Sequence, residues 1–385
     1  MDITIFPGRL QGTTAAIPSK SQAHRLLICA AFAGEQTELY CPDTNRDIEA
    51  TADCLRALGA QILRTPDGYT VIPGKQLPDK AVLNCCESGS TLRFMLPIVG
   101  ALGVDATFQM EGRLPQRPLS PLWEEMERMG CTLVRPTANT IRCQGKLRPG
   151  AYTIAGNVSS QFITGLLFAL ELIGSSTLTV TGKVESAPYI EMTKAAMRLF
   201  PGLRSPGRVS VEGDWSNGAF FLAAQTLGNA VEVTGLDPRS PQGDKAAAHW
   251  LPLLDDFCTI SAADIPDLVP ILAVVAAAKK GAVFTQIRRL RLKESDRVAS
   301  VIAMLEALGG KAEASEDSLT VYGTGLRGGS VQSCNDHRIA MAAAIAATVC
   351  THPVTILDAQ CVSKSYPHFW AEYRRLGGNY EQHLR

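Results

Sequence analysis

The chain has 385 residues, 46% hydrophobic and 19% charged, which is long for one core and suits a globular protein of two domains. Its 37 basic residues balance 37 acidic ones, so no bulk field recruits nucleic acid or an anionic membrane, and any anion site must be local. The opening Met-Asp-Ile-Thr-Ile-Phe has no basic leader, the apolar runs 271–278 and 341–349 are too short to span a bilayer, and the eleven cysteines show neither CxxC nor Cys/His metal spacing. The expectation is a cytoplasmic monomer with reduced, mostly buried thiols, without metal or organic cofactor and without nucleic-acid or membrane partners.

In chain order, residues 3–6 read as a strand. Pro18-Ser19-Lys20-Ser21 then opens an apolar helix through Arg25 and residues 26–33, with Ser19 or Ser21 as its cap. The same construction returns near Arg93, Gln161, Asn217, Asp267 and Arg338: a polar turn, an Ala/Leu-rich helix, then a short strand. The strands are expected at 37–39, 106–110, 177–180, 231–234, 283–287 and 354–357. A second, amphipathic helix follows each strand, and most close on a glycine such as Gly59, Gly130, Gly202, Gly309 or Gly377. A hairpin comes after most of these helices, as around Pro66-Asp67-Gly68.

The fourth unit, 237–266, is too short for a full hairpin, and the sixth stops before one can form. Residues 3–6 have no unit of their own, so they are expected to complete the sheet of the last unit. This gives an α/β protein of six βαβαββ-type repeats, three per domain. The middle domain is expected at 13–212, and a discontinuous second domain at 1–12 and 213–385.

Sites are built on loops held by a rigid scaffold, and the six turns are polar. The first carries Lys20, Ser21 and Arg25, and the second, Glu87-Ser88-Gly89-Ser90, offers backbone N–H groups to an anion. The third is Ser159-Ser160-Gln161. The fourth, Asp214-Trp215-Ser216-Asn217, reads as structural, while the fifth and sixth centre on Asp267 and on Asn335-Asp336-His337-Arg338. Between units lie Arg113–Arg117, Lys293-Glu294-Ser295-Asp296-Arg297 and Ser363-Lys364-Ser365. A capped helix with a surface ion pair would explain any one of these. Eight cations at equivalent places point instead to an interdomain cleft for a small substrate with several phosphate or carboxylate groups. Lys20, Arg25, Arg93 and Arg117 divide from Lys293, Arg297, Arg338 and Lys364, so the cleft is expected to stay open until an anion bridges it. Asp267 and Glu294 are the carboxylates available for proton handling.

With these motifs in this order over essentially its whole length, the chain resembles the 3-phosphoshikimate 1-carboxyvinyltransferase (5-enolpyruvylshikimate-3-phosphate synthase) family. The resemblance implies the two-domain enolpyruvyl transferase-like fold and a transferase of aromatic amino acid biosynthesis. It implies transfer of the carboxyvinyl group of phosphoenolpyruvate to the 5-hydroxyl of shikimate 3-phosphate, through a tetrahedral intermediate. By motif, Lys20, Gly89, Arg117, Gln161, Arg297, Arg338 and Lys364 would meet phosphoenolpyruvate. Ser21, Arg25, Ser159, Ser160, Ser186, Tyr189, Asp267 and Lys293 would meet shikimate 3-phosphate, and Lys20, Asp267 and Glu294 would move protons. The chain departs from the family where Glu87 and Arg289 stand for a common Asn, and where the third and fourth units are short. The sister enzyme acting on a UDP-amino sugar commonly carries a reactive cysteine after the second unit's strand, and residues 112–121 contain none. A non-catalytic anion sensor on the same scaffold would gain nothing from carboxylates in its cleft.

Overall fold

The computed structural model describes residues 1–384. The chain forms two compact units, Met1–Ile17 with Glu212–Arg385, and Pro18–Val211. Strands β1 (Asp2–Ile5) and β2 (Gln11–Ala15) open the first of these.

The 18–211 unit starts with α1 (Lys20–Ala31), β3 (Thr37–Tyr40), α2 (Arg46–Ala57) and the hairpin β4 (Gln61–Thr65), β5 (Gly68–Ile72). Its second repeat is β6 (Lys80–Asn84), α3 (Gly89–Leu102), β7 (Asp105–Gln109), α4 (Leu122–Arg128), β8 (Cys131–Thr137) and β9 (Thr140–Gly145). The third is β10 (Ala151–Ala155), α5 (Ser160–Ile173), β11 (Thr177–Thr181) and α6 (Ala187–Leu199), with no hairpin. Strand β12 (Arg208–Ser210) then returns to pair with β3. In this unit α1, α3 and α5 form the apolar centre. Helix α2 is amphipathic and buries Ile48, Thr51, Ala52 and Leu55, the i, i+3, i+4, i+7 face of a covering helix.

The other unit continues with α7 (Trp215–Thr226), β13 (Ala230–Thr234) and α8 (Ala247–Leu253), again without a hairpin. Next come β14 (Cys258–Ser261), α9 (Val269–Ala278), β15 (Gly281–Thr285), α10 (Arg297–Ala307), β16 (Lys311–Ala314) and β17 (Ser318–Tyr322). The last repeat is β18 (Gly329–Gln332), α11 (His337–Ala346), β19 (Val354–Leu357), α12 (Phe369–Arg375) and β20 (Tyr380–His383).

Four sheets share one strand order: β12-β3-β5-β4, β6-β7-β9-β8, β14-β15-β17-β16 and β18-β19-β1-β20. The two short repeats leave parallel pairs, β10-β11 and β2-β13. Three details differ from the pattern-based expectation. Residues 13–17, expected in the middle domain, belong to the other unit, where β2 pairs with β13. The fifth strand ends at Thr285, because Gln286 turns to a φ of 59°. The sixth unit does have a closing strand, β20, and β1 lies between β19 and β20, antiparallel to both. Among the described residues no helix is long and apolar enough to cross a membrane.

Helix α9 shows why this unit holds together. Residues 269–277 are all buried, on every side of the helix, as expected for a span surrounded by its own core rather than one facing solvent. Leu272→Ala should therefore lower unfolding free energy by about 2–5 kcal/mol, since the removed methyl groups leave a cavity in a rigid surround. Phe257, 59% exposed, is the contrast: its change to Ala should shift stability by no more than about 0.5 kcal/mol in the same urea titration.

Candidate active site

In the 18–211 unit the three central helices begin on serine. Ser19, Ser88 and Ser159 accept from the backbone N–H of Gln22, Thr91 and Gln161 at 3.4, 3.2 and 3.3 Å. None of α1, α3 and α5 has an acidic residue in its first turn, so the positive ends of their dipoles are not neutralised from within the helix. The covering helices α2 and α4 do carry first-turn acids.

Cations gather at those serine-capped ends. Lys20 pairs with Asp47 at 2.9 Å. Arg25 is 2% exposed and donates to Thr193 Oγ1 (2.9 Å), the Ser21 carbonyl (2.6 Å) and the Tyr189 carbonyl (3.0 Å), with Phe94 stacked 5.1 Å away. Burial lowers its pKa to about 10, which still leaves it charged at neutral pH. Ser186 heads α6 in the left-handed region, φ 56°, and is buried. Beneath Lys20, a chain of short contacts joins three helices: His24 Nδ1 to Thr51 Oγ1, Thr51 Oγ1 to Thr91 Oγ1, and Thr91 Oγ1 to Ser88 Oγ, each 2.7 Å. Burial, then the charges of Lys20 and Arg25, push the His24 pKa well below its usual value, so this imidazole is neutral.

The second and third turns meet around Gly89. A Cβ there would lie 2.6 Å from Arg117 Nη1 and 2.9 Å from Arg93 Nη1, so glycine lets both guanidiniums stand where they do, and a side chain would displace them. Arg117 Nε is buried and has no hydrogen-bond partner among the described residues. Gln161 lies across the same spot and Ser160 beside it is 4% exposed.

In the other unit the arrangement is ionic. Asp267 Oδ1 takes Arg297 Nη1 at 2.7 Å and Lys293 Nζ at 3.4 Å, while Oδ2 takes Arg338 Nη2 at 3.0 Å. Arg297, whose side chain is fully buried, also donates to Asp336 Oδ2 through Nε (3.0 Å) and to Glu294 Oε2 through Nη2 (2.6 Å). A fourth, longer contact runs from Nη2 to Asp336 Oδ1 at 3.4 Å, which commits most of the five N–H donors a guanidinium has. Burial raises the Asp267 pKa, but Arg338, Lys293 and Arg297 more than cancel it and hold the carboxyl well below its usual value. Burial likewise pulls Lys293 down to about 8, with Asp267 opposing. Lys364 reaches the Asn335 carbonyl of the sixth turn at 2.9 Å.

Several participants carried no signal in the sequence. Asp47 sits in the first turn of a covering helix, where an acid is ordinary. Thr164 and Thr193, which cradle Arg25, are neutral residues inside helices. The fourth turn, read as structural, places Ser216 so that it donates to buried Asp244. Burial and the charge of Asp267 raise the Asp244 pKa to about 7, against the pull of Arg338. Asp336 was visible in its motif, and the sign that it was more than a cap is Arg297, whose Nε meets its Oδ2 at 3.0 Å.

Fixed cations beside carboxylates in one unit, and acid-free helix starts with buried arginines in the other, define an enzyme class that handles small polyanions by preorganised charge. The family model for EPSP synthase (3-phosphoshikimate 1-carboxyvinyltransferase) matches residues 6–373. A 3-phosphoshikimate 1-carboxyvinyltransferase of Clostridium kluyveri is 35% identical over 418 aligned positions, covering 99% of this chain and 98% of the relative. One from Clostridium perfringens is 36% identical, with 98% of each chain covered. Both alignments are longer than the chain itself, so these relatives hold residues that it lacks. Among solved structures, EPSP synthase from Acinetobacter baumannii shares the fold with a TM-score of 0.80 at 20% identity, covering 100% of both chains. The enolpyruvyl transferase NikO from Streptomyces tendae does so with 0.72 at 17%, covering 99% of this chain and 98% of its own. This chain belongs to the EPSP synthase family.

Lys293 sets a pH test. It is a cation below its pKa of about 8 and neutral above it, so an anion that it grips is held less well as pH rises. kcat/KM for the hydroxyl substrate should fall by about a decade per pH unit above that value. Lys293→Arg, charged throughout, should lack this limb even if slower overall. A limb that survives in the variant would assign the titration to another group.

Proposed function

We propose that this chain transfers the carboxyvinyl group of phosphoenolpyruvate to the 5-hydroxyl of shikimate 3-phosphate, releasing phosphate, as a cytoplasmic enzyme of aromatic amino acid biosynthesis. The observation that carries the reading is Asp267, one carboxylate shared by Arg297, Arg338 and Lys293. A pure anion binder would lose affinity by placing that charge among its cations, whereas an enzyme needs a base there.

The chemistry proceeds in balanced steps. A proton added to the vinyl methylene makes a methyl group and leaves C2 electrophilic. The 5-hydroxyl oxygen bonds to C2 and its proton departs, giving the tetrahedral intermediate. Phosphate then leaves with its C–O electrons as the methyl returns a proton. Because the attacked C2 is already cationic, the hydroxyl proton leaves from an oxonium, a strong acid. A carboxylate held permanently ionised by three cations is therefore a sufficient acceptor, and that role falls to Asp267. Glu294 and Lys20 are the remaining proton-handling groups. Gly89, Arg117, Gln161, Arg297, Arg338 and Lys364 serve phosphoenolpyruvate. Ser21, Arg25, Ser159, Ser160, Ser186, Tyr189 and Lys293 serve shikimate 3-phosphate. Within each unit the charges are fixed before the substrates arrive, so little reorganisation is needed as charge develops.

Phosphate release from phosphoenolpyruvate should depend on shikimate 3-phosphate. Release that ignores it, or that requires a UDP-amino sugar instead, overturns the assignment. Lys20→Ala should lose kcat/KM by at least a hundredfold, on the order of 3 kcal/mol of barrier, because it removes a charge at the reacting centre. Retention within tenfold would take Lys20 out of the chemistry.

A further inference from the structure

Arg93 lies on α3, one turn after Gly89, and is 4% exposed. Its Nη1 donates to Gln161 Oε1 at 2.8 Å, and its Nη2 donates to the Pro118 carbonyl at 3.1 Å. Its Cζ is 5.5 Å from the centre of the Phe162 ring. Gln161 Nε2 donates to Ser90 Oγ at 2.9 Å. An amide side chain can ordinarily be turned either way, but a guanidinium has donors only, so the oxygen of Gln161 must face Arg93 and its nitrogen must face Ser90. One N–H of that nitrogen is taken by Ser90, and the second remains. Because Ser90 Oγ is the acceptor in this contact, its own proton is left to donate. This corner therefore turns donors toward a ligand: an amide N–H, the Ser90 hydroxyl, and Arg117 one residue before Pro118.

We propose that Arg93 is a positioning residue that fixes the polarity of the phosphoenolpyruvate-binding corner, by holding the Gln161 amide with its nitrogen outward. The inference rests on the reaction assigned above. Without Arg93 nothing fixes the amide, and the orientation that turns its carbonyl oxygen toward an anion becomes accessible. The backbone enforces the spacing. A Cβ on Gly165 of α5 would lie 2.2 Å from the Arg93 carbonyl oxygen, so a glycine allows α5 to approach α3 closely enough for Gln161 to reach Arg93. Phe162 and the deep burial keep the guanidinium from swinging to solvent.

The test compares two substrates and two backgrounds. Arg93→Met should raise the KM for phosphoenolpyruvate at least tenfold, while the Kd of shikimate 3-phosphate, measured alone by calorimetry, stays within twofold. A merely structural role would move both. In a Gln161→Ala background the same substitution should cost less than threefold, because the amide through which it acts is gone. Arg93→Lys, whose single ammonium reaches one acceptor but not both, should fall between parent and Met, and it carries the test if the Met variant lacks the parent's circular dichroism spectrum. A KM for phosphoenolpyruvate within twofold of the parent in either folded variant overturns the proposal, as does an equal loss with and without Gln161. A parent that releases no phosphate in the presence of shikimate 3-phosphate overturns the reaction assignment and this inference with it, whereas an active parent with an unaffected variant overturns this inference alone.

Discussion

A guanidinium taken wholly out of water is among the most costly things a protein core can hold, unless carboxylates surround it. Arg297 is held this way, by Asp267, Glu294 and Asp336. The three acids come from three places in the sequence: the fifth turn, the segment before α10, and the cap of α11. One buried cation thus ties three loops of the 212–385 unit into a single body. Asp267 then has its second oxygen free for Arg338 and its first within reach of Lys293, and its ionisation follows from that crowding. Each partner is expensive to remove, because what remains is an unpaired charge in a dry site.

The 18–211 unit reaches positive potential by another route. No acid cluster is needed, because the charge comes from helix ends capped by neutral serines and from arginines bonded to carbonyls and hydroxyls. Those contacts orient Arg25 and Arg93 without cancelling their charge. The two strategies suit different tasks. Carboxylates beside cations supply proton acceptors, whereas cations held by neutral groups supply undiminished attraction for an anion. The carboxylate-bound cations lie in the 212–385 unit and the neutrally held ones in the 18–211 unit, with Lys20 and its partner Asp47 as the exception.

Much of the fold was legible because the repeat is written in period and punctuation. The apolar helices, their polar starts and the closing glycines recur with enough regularity to count six units and to see that two are short. Strand ends were less legible: Gln286 in a left-handed conformation ends β15 two residues early, and nothing in its side chain announces that. The candidate residues were visible where chemistry and motif coincide, as at Lys20, Asp267 and Lys293. Residues that act through other residues were not. Thr193, Asp47 and Asp244 are ordinary in sequence and become meaningful only when the fold sets them against Arg25, Lys20 and the Asp267 cluster. Arg93 was counted as one more cation, and its effect on the orientation of an amide required coordinates.

The strand order also dictates a sequence of events at the ribosome. Every strand of the 18–211 unit lies between residues 37 and 210, and β12, which completes the first sheet, is the last of them. That unit has all its parts once Ser210 has emerged, while most of the other unit is still unmade. Strands β1 and β2 precede that unit in the chain but pair only after it: β2 waits for residues 230–234, and β1 for residues 354–357 and 380–383. These two strands are therefore held in reserve, with bare edges, while a complete folded body forms behind them. β2 presents mostly exposed, polar residues during that wait, whereas β1 brings Ile3 and Ile5 to the core. The short apolar stretch at residues 3–5 is thus the segment most in need of shielding during synthesis, and its late docking is what closes the second unit.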